Sequence, residues 1–209
     1  MRAALASLIF ATWVGGASAT AITPDIVGEA RSPDGDELLY RELHHCNADG
    51  RLCEITYVDP DGETIGVKSL DYTLALPAPM VSMHDIRRGR TMTTPQTIEP
   101  GVVVDAGFDN YVRARWDDLR TGDEVTFPFL VLGRNKPLMM RAVNIPESCD
   151  DGMTCLSVTL DAWWLSMLAK PIELAYDSER RLVMFAGVSN IPDERGKGQD
   201  VVIRYRYAD

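Results

Sequence analysis

Arg51-Leu52-Cys53-Glu54-Ile55-Thr56-Tyr57-Val58-Asp59-Pro60-Asp61-Gly62-Glu63-Thr64-Ile65-Gly66-Val67 holds two runs of β-branched and aromatic residues around an Asp-Gly pair. Side chains alternate between faces along an extended backbone, and Asp-Gly supplies the left-handed conformation of a tight turn, so the stretch predicts a β-hairpin. The same punctuation recurs outward at Asp34-Gly35, Asp49-Gly50 and Asp151-Gly152, with Thr121-Gly122-Asp123 as a looser variant. Between these turns the sequence predicts strands at 37–45, 51–58, 64–73, 124–132, 138–144, 154–160, 172–176, 182–188 and 201–207. Short connections make neighbouring strands antiparallel. In the last strand Val201, Ile203, Tyr205 and Tyr207 share one face while Val202, Arg204 and Arg206 take the other, the mark of a half-buried strand.

Two segments have a helical period instead. Over 105–122, Phe108, Tyr111, Val112, Trp116 and Leu119 recur at helical spacing and Gly122 lies just past the end, which predicts an amphipathic helix of about three to four turns. A shorter helix is predicted over 162–169, with Asp161 as its N-cap and Pro171 beyond it. The stretch 77–100 carries four prolines and reads as an extended, partly irregular excursion with one short strand near 81–87. Together these elements predict a mainly β, β-rich α+β fold: a curled antiparallel sheet or half-barrel of about nine strands, with one long and one short helix packed on it. A two-layer sandwich with the helices at its edges is the alternative, and the large apolar helix faces favour the curled sheet they would plug. An outer-membrane barrel fits less well, because several of the short strands would turn Arg, Asp or Glu toward lipid.

Residues 1–19 look like an export signal: Met1-Arg2, an apolar run from Ala3 to Val14, then small residues ending in Ala17-Ser18-Ala19. Cleavage is expected after Ala19 or Ala21, leaving 20–209 as a single β-rich domain, and no cysteine follows either site to take a lipid. The expected location is therefore periplasmic, as a soluble protein with no transmembrane segment, or beyond the periplasm after secretion. With 31 acidic against 21 basic residues the net charge is −10, which repels phosphate backbones and argues against nucleic acid as a partner. Cys46, Cys53, Cys149 and Cys155 fall as two close pairs, each enclosing an Asp-Gly. Four cysteines allow three connectivities, and loop closure in an oxidising compartment favours the two local disulfides.

Catalytic signatures are few. The chain has no G-x-S-x-G, H-E-x-x-H, Walker loop or C-x-x-C, so no catalytic residue, cofactor or metal is assigned from motifs. Ser189, at the end of a predicted strand, reads as a polar turn residue rather than a nucleophile. His44 and His45 are expected to point to opposite faces of one strand, which keeps them from converging on a metal. Asp59-Pro60-Asp61-Gly62-Glu63 lacks the ligand set of an EF-hand and reads as a turn. Met80, Met83 and His84 suit a soft ion such as Cu(I) in chemistry, but methionine is first a deformable core filler.

Leu39-Tyr40-Arg41-Glu42, Tyr57-Val58-Asp59-Pro60-Asp61-Gly62, Leu70-Asp71-Tyr72, Asp105-Ala106-Gly107-Phe108-Asp109 with Trp116, Tyr176-Asp177 and Ser189-Asn190-Ile191 follow one another along the chain. In that order they resemble a family of uncharacterised exported proteins of Gram-negative bacteria, with the two cysteine loops as additions to the pattern. The expected architecture is similar to that of the periplasmic lipoprotein carriers, half-barrels that hold acyl chains, a likeness of fold alone. The leading expectation is thus a non-catalytic envelope protein that binds or carries a lipid or other apolar or amphiphilic molecule. Its expected contact residues are Phe108, Val112 and Trp116 on the long helix and Trp163, Trp164 and Met167 on the short one. The alternatives are an envelope hydrolase using paired carboxylates or His84, and a module that offers a sheet edge, the 77–100 excursion or its acidic surface to an envelope protein partner.

Overall fold

The computed structural model describes residues 23–162 and 170–208. The expected export signal and the core of the expected 162–169 helix, with Trp163, Trp164 and Met167, lie outside the described residues. The protein is mainly β, built on a single open sheet of thirteen strands rather than about nine. In chain order these are β1 (Ile26–Arg31), β2 (Leu38–Cys46), β3 (Leu52–Val58), β4 (Thr64–Asp71), β5 (Met80–Asp85), β6 (Arg90–Thr93) and β7 (Val103–Val104). After two helices follow β8 (Val125–Leu130), β9 (Leu138–Asn144), β10 (Thr154–Leu160), β11 (Ile172–Tyr176), β12 (Leu182–Val188) and β13 (Asp200–Tyr207).

Strand order across the sheet is β6-β5-β4-β3-β2-β1-β13-β12-β11-β10-β9-β8-β7. Strands adjacent in the chain lie side by side, β13 pairs with β1 at the centre, and β6 and β7 are the two edges. Every pair is antiparallel except β7 with β8, which is parallel. The four strands beyond the expected nine are β1, β5, β6 and β7, of which β5 is the short strand expected near 81–87. The first holds Gly28, Glu29 and Ala30, weak strand formers. The excursion 77–100 contributes β5 and β6, and β7 is two residues long.

Three hairpins share one five-residue loop headed by aspartate. At Asp59, Asp177 and Asp193 the backbone N–H donates to the carbonyl of the fifth residue, and the fourth residue's N–H donates back to the aspartate carbonyl. Each aspartate's Oδ1 also accepts the N–H groups of the third and fifth residues, at 2.8–3.1 Å. The fourth position is left-handed: Gly62 at φ 92°, Gly196 at φ 83° and Arg180 at φ 62°. Asp59-Pro-Asp-Gly is therefore a turn, and its side-chain oxygen is spent on its own backbone. Two disulfides, Cys46–Cys53 and Cys149–Cys155, form the two expected local loops. The first joins residues directly opposite on β2 and β3.

The expected long helix is broken. α1 (Gly107–Ala114) and α2 (Trp116–Thr121) meet at Arg115, whose φ of −105° leaves the helical region, and α2 ends at Gly122 as read from sequence. The helical face survives the break, because Val112, Trp116 and Leu119 are all buried in one core with β8–β11. A second core lies over β1–β5 and includes Tyr40, Ile55, Tyr57, Leu70 and Ile203. Side chains from opposite ends of the sheet meet in it, with Val81 and Met92 from one end and Val104 and Leu130 from the other. β7 divides the two cores by simple alternation, Val103 facing one and Val104 the other. Among the described residues no helix is long and apolar enough to cross a membrane.

Candidate functional site

Alternation along β4 sends Gly66, Lys68 and Leu70 to the core face. Lys68 is thereby the one lysine of the described residues that is fully buried, at 1% exposure. A buried ammonium needs a partner, because a lone charge in a low dielectric costs several kcal/mol. The partner is Asp105, whose Oδ1 accepts from Lys68 Nζ at 2.8 Å.

Asp105 is held with unusual care. Its backbone is left-handed at φ 42°, and its N–H donates to Leu130 O while its carbonyl accepts from Phe108 N. Its Oδ1 also takes the Ala106 N–H at 2.7 Å. On either side the chain is clamped to one proline: Val104 N–H donates to Pro77 O, and Gly107 lies so close that a Cβ there would sit 2.3 Å from the same oxygen. Only glycine fits that approach. A strained, non-glycine backbone so tightly determined is the kind of conformation that marks functional sites.

Beside this ion pair is a cavity of about 150 Å³. Lys68, Asp105, Ser189 and Asn190 give it a polar side, and Met83, Met92, Val131 and Leu132 an apolar one. It sits where the two ends of the sheet approach each other, Met92 belonging to edge strand β6 and Val131 and Leu132 following β8. Contact here is van der Waals: a Cβ on Gly133 would be 3.2 Å from the Met92 sulfur.

A cluster of polar groups extends from Ser189, which lines the cavity. Ser189 Oγ accepts the Ile191 N–H at 2.9 Å and is hydrogen-bonded to the Tyr40 hydroxyl at 2.7 Å. Its hydroxyl is thus committed to a turn and a tyrosine, and among the described residues no base is bonded to it. Tyr205 donates to Glu42 Oε2 at 3.2 Å, and His44 Nε2 reaches the same oxygen at 3.2 Å. Burial, followed by the nearby Glu42 carboxylate, pushes the hydroxyls of Tyr40, Tyr57 and Tyr205 well above the ordinary tyrosine range. All three stay neutral and serve as hydrogen-bonding groups.

The remaining sequence candidates are dispersed. Phe108, Val112 and Trp116 come together, but as core: Phe108 stacks on Phe127 with centroids 5.5 Å apart, Trp116 meets Tyr176 edge-on at 5.4 Å, and Val112 is 1% exposed. None of them lines the cavity beside Lys68. His44 faces Glu42, whereas His45 lines a shallow outer groove of about 500 Å³ with Glu54, Asp71 and Met80. Met83 points inward while His84 is exposed and bonded to Thr91, so the strand carries the two apart. Among the described residues no three His, Cys, Asp or Glu side chains converge as a metal site. The buried acids are matched to separate cations or hydroxyls, Asp105 to Lys68, Asp85 to Arg88 and Glu42 to Tyr205 and His44.

Lys68, Met92, Leu132 and Asn190 escape sequence inspection because they come from separate strands and turns. One signal is present in the alternation: a lysine between Gly66 and Leu70 on a strand face whose other members are apolar. Comparison of the chain with protein-family models, curated proteins and solved structures finds no match.

Proposed function

We propose that this protein is an exported, non-catalytic binding protein of the cell envelope, which holds part of an amphiphilic molecule in the cavity beside Lys68. In this reading the sheet curls into a half-barrel, and the cavity lies at the seam between its ends. The observation that carries it is a cavity with one charged-polar side and one methionine- and leucine-lined side, the division of surface an amphiphile requires. Methionine suits a site that reshapes around its occupant. The buried cation supports the same view, since a purely structural core is cheaper to build from apolar residues of similar volume.

Two disulfides support export, because such bonds persist in oxidising compartments. The resemblance to exported envelope proteins points the same way, with the acyl-holding half-barrels as a likeness of architecture. Native mass spectrometry of protein released gently from the periplasm tests the proposal. The expected result is a co-purifying small mass that is lost on mild organic extraction; a bare polypeptide mass from several independent preparations overturns it.

A further inference from the structure

We infer that the cavity selects an uncharged, carbonyl-bearing head, such as an ester or amide, over a free carboxylate. This rests on the binding function proposed above and names the class of molecule bound. An ammonium has three N–H donors. Among the described residues the one hydrogen-bond partner of Lys68 Nζ is Asp105, so donors remain on a group that is 1% exposed and lines the cavity.

Lone pairs are therefore wanted, but charge is not. Lys68 and Asp105 already neutralise each other, and a second carboxylate brought beside Asp105 adds an anion that no further buried cation meets. Among the cavity-lining residues Lys68 is the sole cation. A neutral carbonyl oxygen accepts the spare N–H without that cost, while Met83, Met92 and Leu132 receive its short apolar body. The volume of about 150 Å³ is one that admits a benzene-sized molecule.

The experiment follows the Met83 and Met92 methyl groups by NMR in methionine-methyl-labelled protein, titrated with methyl butanoate and, separately, with butanoate at neutral pH. The expected result is saturable shifts of both methyls with the ester, and binding of the carboxylate weaker by about tenfold or more. In the Lys68→Leu/Asp105→Asn variant, which removes both charges and so keeps the fold, ester affinity falls by about fivefold, the loss of one hydrogen bond. If butanoate binds as tightly as the ester, or if the variant keeps full ester affinity, head selection by Lys68 is overturned while the binding function stands. If neither molecule moves the two methyl signals, the cavity is not a binding site and both proposals fall.

Discussion

The two halves of the chain bury different chemistry. From β2 to the residue after β7, the interior holds Glu42, Lys68, Asp85, Thr94 and Asp105, all nearly inaccessible. Across β8–β11 and the helices, the buried side chains are Val, Leu, Phe, Trp, Met and Ala, joined by Tyr176 and the disulfide-bonded Cys155. The first half is wet in composition and contains a cavity; the second is dry and covered by α1 and α2. A dry core gains stability from every side chain, whereas a polar one must match each donor and acceptor and gains less. The protein thus keeps its chemistry in the half that is less efficient to build.

The largest expected effect strikes the wet half. Asp105→Asn keeps the side-chain shape and tolerates the left-handed backbone but strands the Lys68 charge, and urea denaturation should show a loss of about 3–5 kcal/mol. Lys68→Leu/Asp105→Asn should recover most of it. If the double variant is as unstable as the single one, the pair is not the source of the loss. In the dry half Leu156, 0% exposed, offers the counterpart. Leu156→Ala should cost about 3 kcal/mol through lost burial and the cavity left behind, with no second-site rescue by charge removal.

Each half also has its own disulfide, and these should not respect the contrast. Replacing Cys46 and Cys53, or Cys149 and Cys155, by serine releases loops of nearly equal length, so each pair of substitutions should cost about 2–3 kcal/mol. Because Cys155 is 5% exposed, its serine variant should be the more costly of the two in a thermal melt.

Asp109, on α1, is a carboxylate at the margin of the dry half. Burial raises its pKa above 3.8, against the opposing pull of Arg113, and its Oδ1 has no hydrogen-bond partner among the described residues. A folded-state pKa above the unfolded value means the folded protein binds more protons, so this group's contribution to stability declines as pH rises from 3.8 through the raised folded value. Asp109→Asn should remove that decline. Urea midpoints taken across the window should show the variant gaining on the parent with rising pH; parallel curves would contradict it.

The smallest effect is expected at Arg180, the left-handed residue of the Asp177 loop, where glycine does not stand. Arg180→Gly relieves a backbone cost of roughly 1–2 kcal/mol but gives up the guanidinium 5.3 Å from the Trp116 ring centroid, worth about 0.5–1 kcal/mol at an exposed site. With glycine's added freedom in the unfolded chain, the net change in a denaturation midpoint should stay under about 1 kcal/mol.

What could be read from the sequence was local. Asp59-Pro-Asp-Gly announces its hairpin, Phe108 to Leu119 announce a helical face, and cysteines six or seven residues apart announce their bridges, because each depends on neighbours along the chain. The break at Arg115 was not legible, since the helical period of the face continues through it. Strands β1 and β7 were missed because pairing holds them, not their own residues: Gly28, Glu29 and Ala30 form a strand only between β2 and β13. The candidate site is the extreme case, joining Lys68, Asp105 and Asn190 from three distant segments. The helix face, legible from its period, packs on β8–β11.

The meeting of β1 and β13 sets the order in which the chain can assemble. Ile26 lies opposite Tyr207, so the first strand stays half-paired until the last one has emerged, and the central seam of the sheet closes latest. Joining those two neighbours with a short linker and opening the chain between β6 and β7 gives a permutant whose strands run in the same sequence as they lie in the sheet, β7 to β13 and then β1 to β6. Its longest-range pairing becomes a hairpin. With that strand pairing at a much shorter separation, the permutant should reach its native state faster, placing the rate of folding in the connectivity of the chain and not in its composition.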